Sequence, residues 1–195
     1  MSHFTPPTTE ELQARIPNYQ VESILTQGEK SAVYAATHMT LGRKVAIKIL
    51  PQHLSENEVF KTAFEKSAKA LASVQHPNIA GVYDFGNVDG MLYTILEHVP
   101  GHSLFDISYG QKLEVLQAAG LVSAMAKGLH KAHQTGILHL DVKPTSVLMD
   151  DAGNSKLINF RGTLPSEDDV TSYTAPESVN RPELVDQRAD INSIG

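Results

Sequence analysis

The chain is 195 residues long, 41% hydrophobic and 19% charged, with a formal net charge of -6. These values describe an ordinary soluble globular chain with room for one large or two small domains, and the acidic balance argues against a general nucleic-acid or anionic-membrane binder. The absence of cysteine excludes disulfides, thiol catalysis and thiolate metal sites.

No apolar run approaches the roughly 20 residues that span a bilayer, and residues 1–9 lack the hydrophobic core of a signal peptide. The expectation is a cytoplasmic chain, or a cytoplasmic piece of a longer one. Nine histidines are scattered along it. His130 and His133 lie one helical turn apart, a spacing open to a zinc pair or to a plain helix surface.

Residues 1–18 begin polar and Pro-rich, and Thr8 followed by Glu11 predicts a capping box opening a short helix, TEELQARI. From 19 to about 34 apolar residues recur in strand fashion around a Gly-containing turn. KVAIKIL (44–50) is a strand by its β-branched alternation, ended by Pro51. Residues 57–74 carry Phe60, Phe64, Ala68, Leu71 and Val74 at spacings of three and four, an amphipathic helix. Two strands then follow from about 76 to 99, joined at 87–90, where Val-Asp-Gly suits a hairpin. Beyond Gly101 the spacing predicts a long helix over 111–134 closed by Gly136, and short strands at 137–139, 146–150 and 156–160, the last two joined by DDAGN. The remainder reads as irregular until PELVDQRAD. The organisation is thus an extension with a short helix (1–18), a strand-rich part around one helix (19–97) and a helix-rich part (98–195), with a seam near 97–101.

Five motifs fall in a fixed order on these elements: VAIK (45–48), HPNI (76–79), ILHLDVKP (137–144), LINF (157–160) and APE (175–177). Together they make the chain resemble the protein kinase-like domain of the bacterial Ser/Thr kinases from Tyr19 to its last residue. The fold class implied is α+β and two-lobed: a β-rich N-lobe with one long helix, and a helix-rich C-lobe. DINSIG (190–195) matches the start of that lobe's central helix, where the sequence stops. The resemblance therefore implies a C-terminal continuation, a dimer or a partner that covers the apolar face there, and places the usual arginine partner of Glu177 beyond residue 195.

Read for chemistry, the same motifs depart from the family's pattern. In LTQGEKSAVY (25–34) only Gly28 remains of three loop glycines, with Thr26 and Ser31 at the other two positions. Either a weakened phosphate flap or a plain hairpin fits. Lys48 matches the lysine that pairs with the α- and β-phosphates, but Ser67 stands where its organising glutamate belongs, and Glu65 lies about 200° around the helix from it. Lys48 reads as a retained anion contact or as a snorkelling surface lysine. Asp141 and Lys143 match the catalytic carboxylate and the phosphate-steadying lysine. Leu140 replaces the arginine that answers a phosphorylated activation loop, and Ser146 the asparagine that helps bind a second magnesium. Asn159 replaces the aspartate that is the main magnesium ligand, and Arg161 the glycine of that motif. Hard cations are held far better by carboxylates than by carboxamides, so no metal site is expected. Losing one group that stabilises developing charge typically lowers rate about 10²–10³-fold.

The resemblance also places Val33, Ala46 and Leu148 around an adenine slot, with Leu96 as gatekeeper and 97–99 as hinge, so that Glu97 and Val99 join the nucleotide-binding set. Leu71, Val82, His139 and Phe160 match the stacked column of active-like kinases. All of these apolar or aromatic residues are also explained simply as core, which would preserve them whether or not a nucleotide binds. Ser166, Thr171 and Ser172 are phosphorylatable, but Leu140 removes the usual receiver, and SEDD (166–169) reads as a solvated loop or a surface for a basic partner. The expected function is a catalytically inactive pseudokinase. It acts as a protein-binding, scaffold or regulatory module with an unidentified protein partner, needs no cofactor, and leaves open ATP binding without Mg²⁺ through Lys48 and the adenine slot. The alternative is a residual or unusual ATP-dependent Ser/Thr kinase or nucleotidyl transferase using Asp141 and Lys48. A third reading is a structural domain whose phosphate space is filled by Thr26, Ser31 or Arg161.

Overall fold

The computed structural model describes residues 4–161 and 170–194. The chain divides into two compact units, Met1–Ala72 with Gly81–His98, and Ser73–Ala80 with Val99–Gly195.

The first unit begins with α1 (Thr9–Arg15), opened by the reciprocal capping box that the sequence predicts: Thr8 Oγ1 accepts from Glu11 N and the Glu11 carboxylate accepts from Thr8 N. Strands β1 (Tyr19–Gln27), β2 (Ala32–His38) and β3 (Arg43–Ile49) follow, then the short α2 (Gln52–Ser55) and α3 (Glu58–Ala72), then β4 (Val82–Val88) and β5 (Met91–Glu97). The five strands form one antiparallel sheet in the order β1-β2-β3-β5-β4. Between β4 and β5 Asp89 and Gly90 both adopt positive φ (49° and 80°), the two-residue turn that Asp-Gly favours.

Alternation along the strands sorts the side chains onto two faces. Tyr34, Ala36, Val45, Ile47, Ile49 and Ile95 form a buried core with Leu12 of α1 and Ile16, which follows it. The Tyr34 hydroxyl donates to the Pro7 carbonyl at 2.6 Å, and burial pushes this phenol up to about 12. On the opposite face Phe85, in register with Thr94 and so with Lys48, meets Phe64 of α3 edge-on at 6.3 Å. The unit is three layers: α1, sheet, α3.

The second unit contains β6 (His102–Ser103), α4 (Leu104–Ser108), α5 (Val115–Gln134), β7 (Val147–Met149), β8 (Ser155–Leu157), α6 (Pro176–Asn180) and α7 (Gln187–Asn192). The short strands form a sheet in the order β6-β7-β8. Its core gathers Met125, Leu129, Val142, Val147 and Leu157, with Leu104, Phe160 and Ile194 packed against them.

Four expectations are corrected here. The long helix starts at Val115 rather than 111, with α4 as a separate turn before it. The strand preceding the β4–β5 hairpin turn starts at Val82, not near 76. Residues 137–139 form no strand: Ile137 N closes the end of α5 on the Ala132 carbonyl, and His139 N donates to the Asp190 side chain instead of a ladder. The region before PELVDQRAD is not wholly irregular, since APE opens α6. No described helix is long and apolar enough to cross a membrane.

Candidate functional site

In the first unit, strand register brings most of the predicted nucleotide-binding residues onto one face. Val33 lies opposite Lys48, which lies opposite Thr94, while Ala46 lies opposite Leu96. Residues paired across strands share a face, and those two apart along a strand do too. Val33, Ala46, Lys48 and Leu96 therefore project together, on the α3 side of the sheet. Thr26 pairs with Val33 and shares that face. The loop after it is tight, with Gly28 N donating to the Ser31 carbonyl at 2.9 Å. Ser67 shares the inward stripe of α3 with Phe64, Ala68 and Leu71 by its spacing. A hydroxyl there brings no charge to balance a lysine. Glu97 faces elsewhere, and its carboxylate accepts from Gly81 N at 3.1 Å.

In the second unit the loop 139–146 is built around a residue that sequence reasoning placed only as the opening of a helix. The carboxylate of Asp190 is 1% exposed. It accepts from His139 N (2.8 Å), Leu140 N (2.7 Å) and His133 Nε2 (2.8 Å). His133 is thus not a helix-surface residue: its side chain is 6% exposed. The signal that could have found Asp190 is a second Asp inside a helix whose N-terminus is already capped by Asp186.

His139 is fully buried. Its Nε2 donates to the Ile158 carbonyl at 2.9 Å, its Nδ1 accepts from Asp141 N at 3.3 Å, and its ring stacks on Phe160 at 4.3 Å. Burial holds its pKa below the ordinary imidazole range, against the raising effect of Asp190 and Asp141. The neutral ring with hydrogen on Nε2 suits both bonds. Of the predicted column, the second unit carries this stacked pair, while Leu71 and Val82 lie in the first.

Leu140 and Asn159 both take left-handed backbone (φ 61° and 63°). Asn tolerates that region and Leu does not, so Leu140 is held there by its bond to Asp190. Arg161 N donates to the His139 carbonyl and Ile158 N to that of Ser146, which fixes Asn159 between two anchored neighbours. Asp141 Oδ1 and Lys143 Nζ form an ion pair of 2.9 Å, each side chain partly exposed. Ser146 is fully buried, and its hydroxyl donates to the Asp141 carbonyl at 2.7 Å.

This donor set does not fit the magnesium ions that kinase-like chemistry uses. Mg²⁺ takes oxygen ligands in near-octahedral geometry, carboxylates above all. Position 159 offers a carboxamide, position 146 a buried hydroxyl already committed to a carbonyl, and Asp141 alone a carboxylate, shared with Lys143. Val99 and Leu148 are half-buried in the second unit, Leu148 in register with Ser103 and Lys156. Thr171 and Ser172 are exposed; Ser166 and the rest of SEDD lie outside the described residues.

The chain matches the family model for the protein kinase domain over residues 19–195. It is 31% identical over 188 residues to the serine/threonine-protein kinase PrkC of Bacillus subtilis, covering 91% of this chain and 29% of that protein. It is 31% identical over 192 residues to the serine/threonine-protein kinase PknJ of Mycobacterium tuberculosis, covering 91% and 32%. The crystal structure of the M. tuberculosis PknI kinase domain superposes with a TM-score of 0.78 at 29% identity, covering 91% of this chain and 69% of that one. The chain spans under a third of the length of these two curated relatives.

Proposed function

The chain belongs to the protein kinase domain family, in its bacterial Ser/Thr branch, with that family's β-sheet N-lobe and helical C-lobe, and from that premise we propose that it is a catalytically inactive member acting as a protein-docking module. The observation that carries this reading is the pairing of intact scaffold with altered ligands. The backbone around 139–161 is anchored by Asp190, His139 and Phe160, yet the residues presented there are Asn159, a buried Ser146 and an Asp141 already paired with Lys143. Phosphoryl transfer is mostly positioning and electrostatics, and several of its charged parts are replaced at once. Losses within one constellation do not simply add, but two unshared ones already remove most turnover. Nucleotide binding, where it occurs, rests on the face carrying Val33, Ala46, Lys48 and Leu96 and does not require metal.

A second reading, a residual kinase or nucleotidyl transferase, is favoured by retention of Asp141, Lys143 and Lys48 and by relatives named as kinases. The two separate in one experiment. Purified chain is titrated calorimetrically with ATP, once with excess Mg²⁺ and once with chelator, and assayed in parallel for phosphate transfer to itself and to a generic basic protein. The docking reading expects no transfer and equal ATP heats, or none, in both titrations. Binding that needs Mg²⁺, together with transfer enhanced by Asn159→Asp, would overturn it in favour of the enzyme.

A further inference from the structure

Helix α5 keeps Leu121, Met125, Gly128, Leu129 and Ala132 buried. Lys127 and Lys131 stand four residues apart and so share one side of it. The loop at 76–79 is fastened beside them. A Cβ at Gly128 would lie 3.0 Å from the Asn78 carbonyl. That same carbonyl accepts from Leu157 N at 2.8 Å, and Asn78 Nδ2 donates to the Ser155 carbonyl at 2.9 Å. Asn78 N in turn donates to His76 Nδ1 at 3.1 Å, setting the ring in place. The loop is thereby clamped to both α5 and β8, and His76 and Lys156 are carried to the neighbourhood of the two α5 lysines.

We propose that Lys127, Lys131, Lys156 and His76 form a docking surface for an acidic segment of a partner protein. This rests on the reading of the chain as a docking module and names the surface it uses. The local sign is opposite to that of the whole chain, which has 22 acidic and 16 basic residues. His76 feels the cluster: burial first, then Lys131, Lys127 and Lys156, hold its imidazole below the ordinary range, with no carboxylate among the groups that shift it. A short acidic peptide needs only to span the patch, within about a Debye length of 8 Å in physiological salt. A long polyanion such as RNA would also meet the net negative remainder of the chain. Three of the four side chains are partly buried, so less freedom is lost when they are engaged.

The test is fluorescence anisotropy with a labelled hexaglutamate peptide at about 50 mM salt. The wild-type chain should bind it and lose affinity as salt rises. Lys127→Glu with Lys131→Glu should lower affinity roughly tenfold or more, while Lys69→Glu on α3 should leave it unchanged. Equal affinity for the double variant and the wild type overturns the proposal, as does tighter binding of a single-stranded oligonucleotide of equal charge. Should the double variant fail to fold by circular dichroism, Lys127→Gln with Lys131→Gln reads the same term, with a smaller loss expected. Phosphate transfer by the wild type would overturn the inactive reading alone, because the peptide titration does not depend on it.

Discussion

Replacing Asp190 by Ala tests how the loop at 139–146 is held. Three donors lose their acceptor at once: the backbone N–H groups of His139 and Leu140, and Nε2 of His133, all at 2.7–2.8 Å from a carboxylate that is 1% exposed. A hydrogen bond to a charged group contributes about 1.5–3 kcal/mol, and buried donors left unpaired lose that without recovering water. Simple addition overstates the loss. Leu140 sits in left-handed backbone, and releasing it returns about 1–2 kcal/mol; local relaxation and entering water return more. The expected net loss is about 3–5 kcal/mol, a large share of the roughly 5–15 kcal/mol that holds a domain together. Asp190→Asn keeps one acceptor oxygen but turns an N–H₂ group toward a donor, so about 2–3 kcal/mol should be lost. The assay is urea denaturation followed by circular dichroism, with His133→Ala as the smaller member of the series. A loss below about 1 kcal/mol for Asp190→Ala would refute the assignment of this carboxylate as the loop's anchor.

Leu12→Ala should destabilise the first unit by about 2–5 kcal/mol, since Leu12 is fully buried against the sheet; thermal melting checks it, and a change under about half a kcal/mol would mean α1 is not packed as described. Gly101→Ala would put a Cβ 2.1 Å from the Met149 carbonyl at φ 115°, and should lose about 2 kcal/mol or more, readable as a shifted urea midpoint. The pH dependence follows from His139, whose pKa is depressed by burial, with His76 shifted the same way. Below the unfolded value of about 6.5 the unfolded chain binds more protons than the folded one. The stability from keeping these rings neutral is therefore present above that pH and lost as pH falls below it. The melting temperature should drop between pH 7.5 and 5.5, and less steeply in His139→Gln; equal slopes would count against the buried neutral ring.

Local signals were legible wherever the physics is local. The capping box at Thr8 and Glu11, the Asp-Gly turn and the α3 periodicity each depend on residues within a few positions of one another, and each stands as expected. The shared face of Val33, Ala46, Lys48 and Leu96 follows from strand alternation once the register is set. What the sequence concealed depends on distant partners. ILH at 137–139 has the apolar look of a strand, but His139 N and Leu140 N bond a side chain some fifty positions away. His133 reads as helix surface until Asp190, 57 residues on, is brought against it. Ser146 shows its replacement in sequence, but only the fold shows that its hydroxyl is spent on the Asp141 carbonyl. Left-handed Leu140 carries no sequence signal at all, since leucine is not a residue that seeks that conformation.

The family match begins at Tyr19, whereas the buried core of the first unit begins earlier, at Leu12. Leu12, Ile16 and the Pro7 carbonyl complete the α1 side of the sheet, so homology and packing draw different borders on this chain. A fragment cut at the homology border would leave Ile47, Ile49 and Ile95 in water, and its phenol at Tyr34 without an acceptor. Failure of such a fragment to bind nucleotide or partner would report the missing first helix and nothing about Lys48, Asp141 or Asn159. A test of ligand binding by this chain therefore needs residues 4–18 kept with the sheet they cover.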